Sequence, residues 1–154
     1  MTRIAVIIIA SLGLCACNPV ANLEEARDKV DIYQTHYSNS ELDDMYAMTS
    51  VEFRRTSTRA DFDNFVGLIE NRLGAIETTK QQGFNINTTP AGTVTVVTML
   101  TQFEQGEGTE TYTFIGSGAG MKVHGWQVNS NRLLFTPEDM ATLNAAEQEN
   151  QAED

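Results

Sequence analysis

The sequence has almost no cysteine, and none in the part that could fold into a domain. Its only two, Cys15 and Cys17, lie within the first 17 of its 154 residues. An internal disulfide is therefore excluded beyond Cys17, and so is a thiol nucleophile. The stability of the folded part must come from its hydrophobic core.

Basic residues are also scarce. The chain has 10 Lys and Arg against 21 Asp and Glu, a formal net charge of −11. Such a charge repels the phosphate backbone of nucleic acids, so nucleic-acid binding is excluded.

Residues that bind metals or carry out catalysis are few. The two histidines, His36 and His124, lie far apart, and neither has a metal-ligating residue three or four positions further on. The sequence contains no Gly-x-Ser-x-Gly motif, which marks the nucleophile of many hydrolases. We therefore predict no metal site and no cofactor.

No hydrophobic run is long enough to stay in a membrane. The apolar stretch Ile4–Leu14 has 11 residues, whereas a helix needs about 20 residues to cross a hydrocarbon core of about 30 Å. It follows Arg3, the order found in cleaved signal peptides. Residues 1–16 are therefore predicted to be a signal peptide.

The residues at the end of this segment, Leu14-Cys15-Ala16-Cys17, resemble the lipobox of bacterial lipoproteins. The resemblance implies cleavage before Cys17 and attachment of lipid to it. Cys15 does not fit, because Leu14 would occupy the position that requires a small residue. Loss of Arg3 leaves nine basic residues and a formal net charge of −12.

The lipoprotein resemblance also implies a location. Residues 17–21 would be the lipidated cysteine and a short tether, which joins the domain to a membrane of the bacterial cell envelope. Asn18 stands where Asp would retain a lipoprotein in the inner membrane, so we expect the periplasmic face of the outer membrane. The expected partners are that membrane and an envelope protein of unknown identity.

Apolar spacing predicts three helices over the first half of the domain. The first runs from an Asn22 N-cap to Tyr37, and a short second helix starts at a Ser40 N-cap. The third is the clearest, with Thr58 as N-cap, Asp61 in a capping box and Gly74 just past its end.

The second half is rich in Thr, Val, Tyr and Phe, with glycine-containing breaks that suit hairpins. An extended stretch at 75–88, followed by three strands between 93 and 130, predicts a four-stranded antiparallel sheet. Together with the helices this gives one α+β domain over residues 22–135. Residues 136–154 are predicted to form a short helix and an acidic, disordered tail.

The last strand changes phase at a glycine. Met121 and Val123 follow one alternation, Trp126 and Val128 the other, and Gly125 lies between them. This pattern predicts a β-bulge that turns Trp126 onto the buried face. We expect a positive φ at Gly125.

The run Met121–Val128 resembles the terminal strand of cystatin-like domains in the nuclear transport factor 2-like class. Bacterial lipoproteins of that class often end in aromatic-Lys-apolar-x-Gly-aromatic-x-apolar, and only Met121 departs from this pattern. The resemblance implies a cone in which helices close over a curved sheet. It brings no catalytic residue with it.

A cone of this kind has an interior that can hold a pocket, which Tyr33, Tyr37, Tyr46 and Trp126 are predicted to line. Two functions follow. The first is a membrane-tethered, non-enzymatic binding or interaction module. The alternative is a small-molecule-binding or catalytic pocket of the isomerase or dehydratase kind, in which only His36 or His124 could act as base.

Overall fold

The computed structural model describes residues 19–135, which form an α+β domain with a curved, unclosed four-stranded antiparallel sheet. The predicted fold class is confirmed, with five helices where three were expected. The helices are α1 (Pro19–Ser38), α2 (Leu42–Ala47), α3 (Val51–Thr56), α4 (Arg59–Leu73) and α5 (Asn131–Leu134). Among these helices, none combines the length and apolar character needed to cross a membrane.

The sheet is a meander in which each strand pairs with the next along the chain. Its strands are β1 (Ile76–Thr89), β2 (Gly92–Phe103), β3 (Gly106–Ile115) and β4 (Lys122–Asn129). Alternate residues of β2 and β3 are buried, because only one face of the sheet is covered by helices. The glycine-rich link from β3 to β4 holds a single 3₁₀ turn at Gly118–Gly120.

The predicted bulge in β4 is confirmed, although its backbone geometry is not the expected one. Thr113 pairs with Gly125, whereas the adjacent Phe114 pairs with Val123. The extra residue places both Val123 and Trp126 on the buried face. The expected positive φ at Gly125 is wrong, because Gly125 is not among the glycines with positive φ.

The first two helices start elsewhere than predicted. α1 begins at Pro19, so Asn22 is not its N-cap, and residues 19–21 are helical rather than part of a tether. Pro is well suited to a first helical turn, where its missing N–H is not needed. Before α2, Ser40 takes a φ of 54° and Glu41 is the N-cap, without a side-chain hydrogen bond.

The later helices follow local capping signals. α4 has the predicted capping box between Thr58 and Asp61, and Gly74 follows it with a φ of 77°. The sequence reasoning missed α3, which Ser50 caps by accepting a hydrogen bond from the Phe53 N–H. It also missed the single turn of α5.

One hydrophobic core lies between α1, α4 and the inner face of the sheet. Aromatic rings fill its centre and meet mostly edge to face. They are Tyr33, Tyr37, Phe103, Tyr112, Phe114 and Trp126. The site described next is embedded in this aromatic core.

Candidate functional site

A buried carboxylate lies at the centre of the fold. Glu110 is on β3 in the same alternation as Tyr112 and Phe114, which directs its side chain into the core, where it is fully buried. Four neutral groups donate hydrogen bonds to it. They are Gln34 Nε2 at 2.6 Å and Thr101 Oγ1 at 2.5 Å to Oε2, and Tyr112 Oη at 2.6 Å and Trp126 Nε1 at 3.0 Å to Oε1.

These four donors fill the hydrogen-bonding capacity of Glu110. A carboxylate offers about four lone-pair sites, and two donors reach each oxygen here. Within residues 19–135, no Lys, Arg or His forms an ion pair with it. Neutral donors therefore hold this carboxylate, and no acceptor site is left for a substrate.

A second polar group in the core has no partner. Tyr33 is buried against Tyr112 and Trp126, and no group in the described part of the chain bonds its hydroxyl. Burial raises the pKa of the Tyr33 hydroxyl, and the negative charge of Glu110 raises it further. The same two causes raise the pKa of Tyr112. Both tyrosines stay neutral in the physiological pH range.

A pocket opens beside this core, between the helices and β4. Its volume is about 210 Å³, and five of its six lining residues are aromatic. The lining residues are Tyr33, Phe53, Ser57, Phe62, Phe65 and Trp126. We call it the aromatic pocket. A wider groove of about 540 Å³ along β4 shares Phe65 and Trp126 with it.

The structure brings together two of the four residues predicted to line a pocket. Tyr33 and Trp126 line the aromatic pocket, whereas Tyr37 and Tyr46 do not. The Tyr37 hydroxyl donates to the Gly74 carbonyl at 2.8 Å, at the far end of α1. Tyr46 packs against Phe62, and its hydroxyl donates to the Ser57 carbonyl at 3.3 Å.

Neither histidine can serve as a base in this pocket. His36 lies on the surface, with Nδ1 at 2.6 Å from a carboxylate oxygen of Glu41, and His124 is exposed beside Ser50. The structure therefore places neither of the two candidate bases, His36 and His124, in the lining of the aromatic pocket. The carboxylate bonded to the pocket wall is that of Glu110, which accepts a hydrogen bond from the pocket residue Trp126. Its in-phase position with Tyr112 and Phe114 was the signal that could have revealed it.

One surface group has the composition of a metal site. Ligand atoms of His36, Glu41 and Asp44 lie within 4.8 Å of one another. The hydrogen bond from His36 lowers the pKa of Glu41, and a hydrogen bond from Asn39 lowers it further. Glu41 and Asp44 are exposed, as acidic residues usually are. The group therefore gives no support for a metal ion.

Comparison with protein-family models gives no match, and comparison with curated proteins gives none either. The resemblance to lipoproteins with a cystatin-like domain therefore stays a prediction, as does the lipid attachment at Cys17, which lies outside the described residues.

Proposed function

We propose that this protein is a membrane-tethered, non-enzymatic binding module whose binding site is the aromatic pocket. The observation that carries the proposal is the contrast between the pocket and the carboxylate behind it. The pocket lining contains no charged residue, and Glu110 is saturated by internal donors. Such a site can bind an apolar group but offers it no free carboxylate, amine or imidazole.

The size of the pocket favours one small apolar group. Typical small-molecule sites measure about 300–1,000 Å³, whereas an apolar cavity of about 150 Å³ suffices for benzene. The aromatic pocket, at about 210 Å³, lies between these limits. It therefore suits one apolar side chain better than a metabolite, which favours an interaction module over the alternative of a catalytic pocket.

The free energy from burying one apolar side chain in the pocket is too small to give tight binding by itself. Burying one large apolar side chain contributes about 1.5–3 kcal/mol, whereas even a millimolar Kd requires about 4 kcal/mol. A single aromatic group should therefore bind weakly by itself, and a physiological partner must make further contacts next to the pocket.

The charge pattern supports the tethered part of the proposal. In a strongly acidic chain, residues 81–103 and 111–121 contain no charged side chain. These segments include the β1–β2 and β3–β4 turns. The N-terminal half of α1 lies at the same end of the domain, because α1 contacts the Gly118–Gly120 turn while Tyr37, near its other end, reaches Gly74. The two uncharged turns can rest against anionic lipid without repulsion, whereas the N-terminal half of α1 beside them carries Glu24, Glu25, Arg27 and Asp28.

The pocket can be tested with toluene, which has the ring of a phenylalanine side chain. The fluorescence of Trp126 reports binding directly, because it is the only tryptophan of the chain. We expect its emission to change as toluene is titrated into the full chain, with a Kd in the millimolar range or weaker. Ser57→Phe, which fills the pocket, should weaken binding at least tenfold.

The matched control is Ser117→Phe, the same substitution on the exposed β3–β4 link. It should leave toluene binding within twofold of the original. An emission that does not respond to toluene, or a response that is equal in the Ser57→Phe and Ser117→Phe variants, would mean that the aromatic pocket is not a binding site.

A further inference from the structure

The outer edge of β4 is only half covered. β4 is an edge strand of the sheet, and the link between α2 and α3 pairs with its first half. Ser50 N donates to Val123 O at 2.8 Å, and Val123 N donates to Met48 O at 3.1 Å. From residue 125 to 129, no main-chain group within 19–135 pairs with this edge.

The register shows which groups are left free there. Gly116 N donates to Thr93 O, so the main-chain groups of even-numbered β3 residues face β2. Odd-numbered Thr111 and Thr113 therefore bond across to their β4 partners, Gln127 and Gly125. It follows that the N–H and C=O groups of Trp126 and Val128 point outward, away from the sheet.

The free edge lies directly beside the binding site of the proposed function. Trp126 and Val128, whose main-chain groups point outward, are also lining residues of the groove along β4. That groove shares Trp126 and Phe65 with the aromatic pocket. None of the residues that line the groove or the pocket is charged, so a charged side chain buried in either would find no charged partner in the lining and would be costly to bury.

We propose that the partner is an extended, uncharged polypeptide segment, which adds to β4 as a fifth strand and places one apolar side chain in the aromatic pocket. The inference rests on the proposed function and names the partner class. The free main-chain groups can pair with an extended backbone, and the pocket beside them supplies side-chain specificity. The fold itself sets the precedent, because Met48–Ser50 already pairs with the same edge at Val123.

The opposite edge of the sheet is a poorer docking site. Within residues 19–135, no main-chain group pairs with the outer side of β1, but its register with β2 is broken between Ile76 and Thr78 and between Gln81 and Gly83. It also carries the charged residues Glu77 and Lys80. Bulges and charges are the features by which natural sheets prevent strand addition. The free part of β4, Trp126–Asn129, lies beyond the bulge at Gly125 and carries no charged side chain, so strand addition is expected there.

The test uses five capped heptapeptides that alternate Thr and Ser around a central Phe, Leu, Val, Tyr or Trp. We expect at least one of them to bind the full chain and to slow hydrogen exchange of the Trp126 and Val128 amides at least tenfold. Val128→Pro removes one edge-facing N–H and leaves the bonds to β3 intact, as proline does on edge strands. It should weaken peptide binding at least tenfold and toluene binding less than twofold.

The outcomes separate this inference from the proposed function. Toluene binding without binding of any of the five peptides would overturn strand addition and leave the pocket standing, whereas binding of neither would overturn both. Peptides that bind without protecting Trp126 and Val128 would overturn the inference. So would protection that appears without peptide and grows with protein concentration, because the occupant would then be a second copy of the chain.

Discussion

The indole N–H of Trp126 donates to Oε1 of Glu110 across 3.0 Å, which joins the wall of the aromatic pocket to the buried carboxylate. The two residues are on neighbouring strands, and Trp126 reaches the buried face only because β4 contains a bulge. The orientation of the pocket wall therefore depends on a polar network that lies one layer deeper.

Glu110 should be far more sensitive to an apolar substitution than to an amide. Glu110→Leu leaves at least the Trp126 and Gln34 N–H groups buried and unpaired, and each such group costs about 1–3 kcal/mol. We expect a loss of roughly 2–6 kcal/mol in the free energy of unfolding, measured with urea.

Glu110→Gln is the matched variant. Its oxygen can still accept from Trp126, and the hydroxyl of Thr101 and the carbonyl of a reoriented Gln34 can accept from its amide. It should therefore lose less stability than the leucine variant. Equal losses would show that the charge of Glu110, rather than its hydrogen bonds, holds the network.

Tyr33 and Tyr112 should respond differently to loss of the hydroxyl. Tyr33→Phe removes a buried oxygen that has no partner, so it should leave the free energy of unfolding unchanged or raise it by up to about 1 kcal/mol. Tyr112→Phe removes a hydrogen bond to a carboxylate and should cost about 1.5–3 kcal/mol. A large loss in the Tyr33 variant would mean that its hydroxyl has a partner in solution.

Gly74 and Gly125 should differ in how well they tolerate substitution by alanine. Gly74 has φ 77° and ψ −157°, and an added Cβ would lie 3.0 Å from Glu104 Cβ. That backbone region is nearly restricted to glycine, so Gly74→Ala should cost about 1–3 kcal/mol. At Gly125 an added Cβ meets Thr113 Cβ at 3.7 Å, an ordinary contact. Gly125→Ala should therefore stay within about 0.5 kcal/mol, and thermal unfolding of both variants checks the contrast.

Palmitate labelling should depend on Cys17 and not on Cys15. In cells grown with labelled palmitate, Cys17→Ser should abolish labelling and leave the uncleaved precursor, because Cys17 is the predicted site of the thioether. Cys15→Ser, the control, should be labelled like the original chain. Labelling that depends on Cys15 alone would contradict the predicted cleavage site.

Features that depend on neighbouring residues could be read from the sequence. The capping box of α4, the hairpins and the bulge each need only a few adjacent positions to be specified. Where the N-cap or the helical spacing of apolar residues was ambiguous, the predicted helices were wrong. α1 starts at Pro19 rather than Asn22, and α3 is a six-residue helix, too short to show a helical period.

The site depends on distant residues, and this is why it was missed. Gln34 and Glu110 are 76 positions apart, and no local pattern indicates that they meet. Helical spacing placed Tyr33 and Tyr37 on the buried side of α1. It could not show that Tyr33 faces the pocket whereas the Tyr37 hydroxyl reaches Gly74.

A crystal of the protein held under xenon pressure would show directly whether the aromatic pocket is an open apolar cavity. Xenon enters apolar cavities that are open and dry, as it does in engineered cavities lined by Leu, Ile and Phe. We expect a xenon atom between Phe62, Phe65 and Trp126, and none there in the Ser57→Phe variant. Ordered water bonded to Glu110 in that space, or a collapsed pocket without xenon, would contradict the proposal that the aromatic pocket is an apolar binding site.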